Sequence, residues 1–207
     1  PFDYQHAEKR KAILKRNVLK FGLPVIYVNH VGAQTDILFD GGSVAFDKSG
    51  AITTELLYFK EDFRIIDTAG VTGPATHQNA SLSKMERIHS ALIMGIGDYF
   101  KKMNFSHATL GLSGGVDSAL VLALAATALG KEKIHPVMMP SPYSSEHSIG
   151  DSIQLCENLG ITPLKIGISE IYQNFLDATQ PAFEGKPFNV AEENIQARIR
   201  GTLLMAL

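Results

Sequence analysis

Residues 111–118 read Gly-Leu-Ser-Gly-Gly-Val-Asp-Ser. They follow a short apolar run and precede a stretch with helical patterning. The Gly114-Gly115 pair lets backbone N–H groups approach an anion with no Cβ in the way. A helix opening at Val116 presents unpaired N–H donors and the positive end of its dipole. Ser113 and Ser118 add hydroxyl donors. Asp117 would repel a phosphate unless a cation stood between them, which implies Mg²⁺ on that carboxylate. The loop therefore predicts a pyrophosphate cradle rather than a βα turn whose glycines only aid packing. It lacks the Gly-Lys-Ser/Thr ending of a Walker A loop, and its glycine spacing is not that of a dinucleotide-binding turn.

Outward from the loop the pattern alternates. Residues 109–112 read as a strand and 116–129 as a helix stopped by Gly130. Residues 134–139 read as a strand, 146–159 as a helix stopped by Gly160, and 164–168 as a strand. Repeated βα units on short connections predict a parallel sheet covered by helices. Residues 119–129 are apolar on every side, which predicts a helix buried between layers. Ligands of such sheets bind beyond the carboxyl ends of the strands, where 111–118 and 139–144 both fall.

Before the loop, Ser83-Lys84-Met85-Glu86 reads as a capping box opening a helix over 84–103. Residues 3–21 read as a helix with Leu14, Val18 and Phe21 on one face, Ala7 alongside, and Gly22 as its stop. Its Lys9, Arg10, Lys11, Lys15 and Arg16 form a solvated face. Residues 24–31, 37–39 and 44–46 read as three strands, with Asp40-Gly41-Gly42 and Asp47-Lys48-Ser49-Gly50 as turns. Residues 68–83, rich in small and polar residues and without periodicity, read as a linker. The expected organisation is one domain over 1–67, the linker, and a second domain over 84–207.

A chain of 207 residues has room for one or two domains, and its net charge of -2 gives no support for a nucleic-acid or membrane partner. The longest apolar run, 119–129, is too short to span a bilayer. The single cysteine, Cys156, excludes an internal disulfide and predicts a reducing, cytoplasmic compartment, with the thiol as a small packing residue. The histidines show no metal-ligand spacing, and His147 beside Ser144 and Ser145 reads as a polar helix start rather than a Ser–His pair. Asn29, Asp40 and Ser43 read as turn residues. The chain starts at Pro1 and stops at Leu207 inside an apolar helical pattern, so it is expected to be a piece of a longer protein.

The Ser-Gly-Gly-Val-Asp-Ser string resembles the loop of the N-type ATP pyrophosphatases, a superfamily that includes the NAD, GMP, asparagine and argininosuccinate synthetases. Flanking residues narrow the resemblance. Leu-Gly-Leu-Ser-Gly-Gly-Val-Asp-Ser-Ala-Leu over 110–120 is followed by Val137-Met138-Met139-Pro140-Ser141 with Tyr143-Ser144-Ser145. Glu193-Asn194-Ile195-Gln196-Ala197-Arg198-Ile199-Arg200-Gly201 comes third. The three together resemble the synthetase domain of the glutamine-dependent NAD synthetases. Pro24-Val25-Ile26-Tyr27-Val28-Asn29, Val31-Gly32-Ala33-Gln34 and Phe39-Asp40-Gly41-Gly42-Ser43 resemble the C-terminal part of the nitrilase-like glutaminase domain of the same family.

The resemblance implies an α/β fold: the C-terminal part of a nitrilase-like α/β sandwich, then a Rossmann-like parallel-sheet ATP pyrophosphatase domain. It implies ATP-dependent amidation of deamido-NAD to NAD through an acyl-adenylate, with release of AMP and pyrophosphate and with ammonia drawn from glutamine. ATP and pyrophosphate would meet Gly111, Leu112, Ser113, Gly114, Gly115, Val116, Asp117, Ser118 and Met139. Ser113 and Asp117 would serve catalysis, with Asp117 holding Mg²⁺. Residues 137–141 would contact adenine and ribose, form a buried strand, or do both. Asn194 and Arg198, four apart on one helical face, would meet deamido-NAD, Arg198 being equally suited to a surface ion pair. Arg200 reads as structural.

The family's synthetase domains pair, so a homo-oligomer is expected. Its glutaminase Cys, Glu and Lys would lie before Pro1, His6 stands where a glutamine-contacting lysine is expected, and further substrate residues would follow Leu207. Neither active site is therefore expected to be complete. Two alternatives stand beside this reading. One is another amide ligase of the same loop family, such as a GMP synthetase, which would not predict the nitrilase-like half. The other is a piece that binds nucleotide without turnover.

Overall fold

Leu14 and Val18 of α1 (His6–Phe21) pack on Val44, Phe46, Val25 and Ile52, and this apolar contact organises the first of two units. The units are Pro1–Asn104 and Phe105–Leu207, in a computed structural model that describes residues 1–66, 76–77, 82–183 and 190–207. After α1 come β1 (Val25–Tyr27), β2 (Val31–Gln34), β3 (Ile37–Asp40), β4 (Val44–Phe46), β5 (Ile52–Glu55) and β6 (Thr76–His77). One sheet has the order β1-β4-β5-β6, antiparallel but for the last pair. A separate hairpin pairs β2 with β3, Val31 opposite Asp40 and Gln34 opposite Ile37.

This differs from the three strands expected. Residues 24–31 are not one strand, because Tyr27 and Val31 fall in different sheets. Nor is Asp40-Gly41-Gly42 a hairpin turn, because β3 returns to β2 while β4 pairs with β1 and β5. The two glycines instead carry the chain from one sheet to the other. Asn29, Asp40 and Ser43 brace that crossing, in keeping with their reading as turn residues. Asn29 Nδ2 donates to Asp40 Oδ1 at 2.9 Å and to the Gly41 carbonyl at 2.7 Å, and its N–H donates to Ser43 Oγ at 3.0 Å. Asp40 is 2% exposed, and Arg10 meets it at 3.3 Å.

Helix α2 (Lys84–Met103) opens with the expected capping box: Glu86 N–H donates to Ser83 Oγ and Ser83 N–H to Glu86 Oε2. It lies on the β2–β3 hairpin. Ala33 N–H donates to Asp98 Oδ2 at 2.7 Å, and Lys102 Nζ donates to the Ala33 carbonyl. These bonds and the approach of Leu38 to Gly95 join α2 to the first unit, whereas the sequence pattern places 84–103 in the second domain. Of that linker segment, residues 68–75 and 78–81 lie outside the described residues.

The second unit runs β7 (Ala108–Leu112), α3 (Val116–Leu129), β8 (Ile134–Met138), α4 (Glu146–Leu159), β9 (Leu164–Lys165), α5 (Ser169–Phe183) and α6 (Val190–Ala206). Its sheet is parallel in the order β7-β8-β9, as the βα pattern predicted. β9 is shorter than expected, though the N–H groups of Ile166 and Ile168 still donate to the carbonyls of Met138 and Pro140 at 2.9 and 3.0 Å. Side chains alternate across β8. Met138 joins Leu112, Leu122, Ile134 and Cys156 in one core, while Val137 and Met139 join Ile168, Tyr172 and Ile199 in another. Helices therefore cover both faces. Cys156 is fully buried, and burial pushes its thiol up, in keeping with a packing role.

One expectation fails. α3 is not enclosed on all sides. Leu122 and Ala125 are buried, but Leu120 is 56% and Val121 52% exposed. Within the described residues its principal neighbours are β7, β8, α4 and the short 3-10 turn Lys131–Lys133.

Replacing Asp40 by Ala would strand the largely buried Arg10 guanidinium and remove one of the two acceptors of the Asn29 amide. The expected loss is about 3 kcal/mol of unfolding free energy, measured by urea denaturation. A loss under about 1 kcal/mol would show that the crossing does not depend on this pair.

Candidate functional site

Leu112 at the end of β7 lies opposite Met138 at the end of β8. Ser113 and Met139 thus leave the sheet side by side at its carboxyl edge, where sheets of this topology hold their ligands. The chain then turns through Gly114 at φ +81°, a conformation that L side chains rarely adopt. A Cβ there would stand 2.6 Å from Ser148 Cα and against its carbonyl oxygen. The first turn of α4 therefore lies directly on the loop, and only glycine fits between them.

The loop braces itself. Ser113 N–H donates to Ser118 Oγ at 3.3 Å, Gly115 N–H donates to Ser113 Oγ at 3.3 Å, and Ser118 Oγ donates to the Gly115 carbonyl at 3.0 Å. Gly115 is the N-cap of α3, and no side chain caps that helix. Its first-turn N–H groups are left facing outward with the positive end of the helix dipole, beside exposed Val116 and Asp117.

A cavity of about 530 Å³ lies over this edge. Gly111, Ser113 and Met139 line it from the strand ends, Ser144 and Ser148 from the approach to α4 and its first turn, and Arg200 from α6. Leu112 also borders it. Residues 197, 200, 201 and 204 share the face of α6 that borders the cavity, as their spacing requires. Arg200 Nε donates to the Met139 carbonyl at 3.2 Å, tying α6 to the end of β8. Met139 packs in the core with Ile168 and Tyr172, as a buried strand end would, and it also lines the cavity. The nearby serines bond one another and the backbone. Ser144 Oγ accepts from Ser141 N–H at 2.9 Å, and Ser145 Oγ caps α4 by accepting from Ser148 N–H at 3.1 Å. His147 is exposed and joins none of these bonds, so among the described residues it forms no pair with Ser144 or Ser145.

Asn194 and Arg198 face elsewhere. They line a second cavity of about 340 Å³ between α5 and α6, with Phe175, Ile195 and Leu203. Asn194 Nδ2 donates to the Val190 carbonyl at 2.9 Å, and Arg198 has no ion pair among the described residues. The structure thus brings Gly111, Leu112, Ser113 and Met139 to one cavity and Asn194 with Arg198 to another. Sequence reading overlooked Ser148, Ala197 and Arg200 as lining residues. The helical spacing of 197, 200 and 204 carried a signal for two of them.

A parallel sheet wound with helices on both faces, with an uncapped helix start and a glycine loop at its carboxyl edge, defines a doubly wound α/β domain suited to an anionic ligand. The model of the NAD synthase family matches residues 88–207, and the chain belongs to that family. A glutamine-dependent NAD(+) synthetase of Synechocystis sp. is 45% identical over 201 residues, covering 96% of this chain and 36% of the relative. That of Acinetobacter baylyi is 35% identical over 212 residues, covering 100% and 39%. The structure of the glutamine-dependent NAD+ synthetase from Acinetobacter baumannii in complex with ADP matches with a TM-score of 0.94 at 36% identity, covering 100% of this chain and 40% of that one. The NH3-dependent NAD synthetase from Campylobacter jejuni, solved with nitrate, matches 58% of this chain with a TM-score of 0.52 at 31% identity. The chain spans well under half the length of the curated relatives it matches. The expected α/β architecture and the expected family are both borne out.

Gly114→Ala forces the new Cβ onto α4 and should lower unfolding free energy by about 1–3 kcal/mol. Gly115→Ala, at φ −82° with its nearest neighbour 3.4 Å away, should cost about 1 kcal/mol or less. Paired urea titrations check the contrast, and equal losses would refute the close packing of α4 on the loop.

Proposed function

We propose that the chain is part of an enzyme that amidates deamido-NAD to NAD at the expense of ATP. The observation that carries this reading is the glycine loop, open at the uncapped start of α3 and bordering a cavity of about 530 Å³. The ADP in the Acinetobacter baumannii relative supports an adenine nucleotide there. ATP lies along residues 111–118 and Met139. The carboxylate of deamido-NAD attacks the α-phosphorus, pyrophosphate leaves, and an acyl-adenylate forms. Ammonia then displaces AMP to give the amide. The substrate supplies the nucleophile, so the protein's task is positioning and charge stabilisation. The uncapped first-turn N–H groups of α3, with Ser113 and Ser118, face the leaving pyrophosphate as negative charge builds.

Among the described residues no three metal-binding side chains cluster. A lone exposed carboxylate at Asp117 nevertheless fits Mg²⁺, which is commonly held by one or two carboxylates together with substrate phosphates and water. When bound, the ion neutralises phosphate charge. Asn194 and Arg198 hold deamido-NAD from the second cavity. Residues 1–67 belong to a nitrilase-like glutaminase domain that supplies ammonia from glutamine, and 84–207 to the synthetase domain. The working enzyme is a cytoplasmic homo-oligomer, and among the described residues no helix is long and apolar enough to cross a membrane. A second reading is nucleotide binding without turnover by these 207 residues alone, which cover 36% to 40% of the glutamine-dependent relatives compared above.

The test supplies deamido-NAD and Mg-ATP to the longer protein of which the chain is expected to be a piece, with ammonium or glutamine in separate reactions, and repeats the ATP step with these 207 residues alone. NAD from ammonium supports the synthetase, and NAD from glutamine supports the glutaminase as well. Asp117→Ala should lower the rate about 100-fold or more. Mg-ATP binding with no pyrophosphate release favours the second reading, and neither binding nor product overturns both.

A further inference from the structure

We propose that Arg200 is the cationic group that grips the nucleotide phosphate in the cavity beside the 111–118 loop, rather than a purely structural residue. The inference rests on reading that loop as the nucleotide site. Arg200 is the one charged side chain among the described residues lining the cavity; the remainder are serine, glycine, alanine, proline and apolar groups. The cavity therefore presents a positive charge with no carboxylate facing it. Arg200 spends one nitrogen on structure, its Nε donating to the Met139 carbonyl at 3.2 Å. That bond fixes the plane of the guanidinium and leaves both terminal NH2 groups available. Among the described residues no carboxylate reaches ion-pair distance, and burial alone acts on the group, drawing its pKa down.

A half-buried guanidinium without an anion is unfavourable unless an anion arrives. An anchored fork suits two oxygens of one phosphate. Ala197 and Gly201, small neighbours on the same face of α6, leave room for it. A role confined to holding Met139 would need one neutral donor and no charge. Arg198, two residues before, faces the second cavity and cannot take this part.

The test is calorimetric titration of the wild-type chain, Arg200→Met and Arg200→Lys with ATP, AMP and adenosine, and circular dichroism melts of all three proteins. Arg200→Met should weaken ATP and AMP about tenfold or more and leave adenosine within about twofold. Arg200→Lys, which keeps the charge and loses the fork, should fall between. Unchanged ATP and AMP affinity in Arg200→Met overturns the proposal, as does an equal loss for all three ligands. Should Arg200→Met fail to fold, Arg200→Gln keeps a donor for Met139 while removing the charge, and the same outcomes decide. Wild-type protein that binds none of the three would overturn the nucleotide reading of the loop instead.

Discussion

The contact between Gly114 and the first turn of α4 governs the second unit. Two backbones meet where no Cβ can stand, Gly114 at φ +81° and Ser148 against it. From that contact the rest follows. The loop is held close against α4, and Ser113 at its start stands on the cavity wall. Ser148 becomes a lining residue because its own backbone is the loop's neighbour. Ser113 and Ser118 then complete the bracing with side chains too short to block the space. The strain of a left-handed turn is accepted where close approach is useful, and glycine keeps its cost small.

Strand β8 does comparable work in the sheet. Alternation sends Met138 to one core and Val137 and Met139 to the other, so one strand of five residues supports helices on both faces. The same alternation brings Met139 to the cavity wall, where its carbonyl takes the bond from Arg200. Core and cavity wall share a residue, which is why the sequence alone could not separate a packing role from a surface one at 137–141.

What the sequence made legible was local. The α2, α3 and α4 boundaries were readable because each carries its own punctuation: a capping box at Ser83, and glycine stops at Gly130 and Gly160. The parallel sheet followed from alternation of short apolar runs and helices. What stayed hidden was pairing between distant residues. β2 reads Val-Gly-Ala-Gln and β5 reads Ile-Thr-Thr-Glu, too short and too mixed to show a period. The crossing at Gly41-Gly42 looks like a hairpin turn until Asp40 is seen bound to Arg10 and Asn29. The uniform apolarity of α3 predicted burial all round, yet Leu120 and Val121 are exposed. Composition shows that a helix tolerates burial, and neighbours decide whether it receives it.

The candidate site shows the same division on α6. Its motif placed Asn194, Arg198 and Arg200 close together in sequence, and the helix then sent them to different cavities. A rotation of about 100° per residue separates Arg198 from Arg200 by roughly 200°, nearly opposite sides of the helix. Two positively charged residues of one short motif thus stand on either wall of a single helix, Arg198 exposed between α5 and α6 and Arg200 half-buried beside the loop. α6 is therefore a partition as much as a scaffold. Because Arg200 also holds the end of β8 through Met139, the partition and the strand that carries the site are fixed to one another.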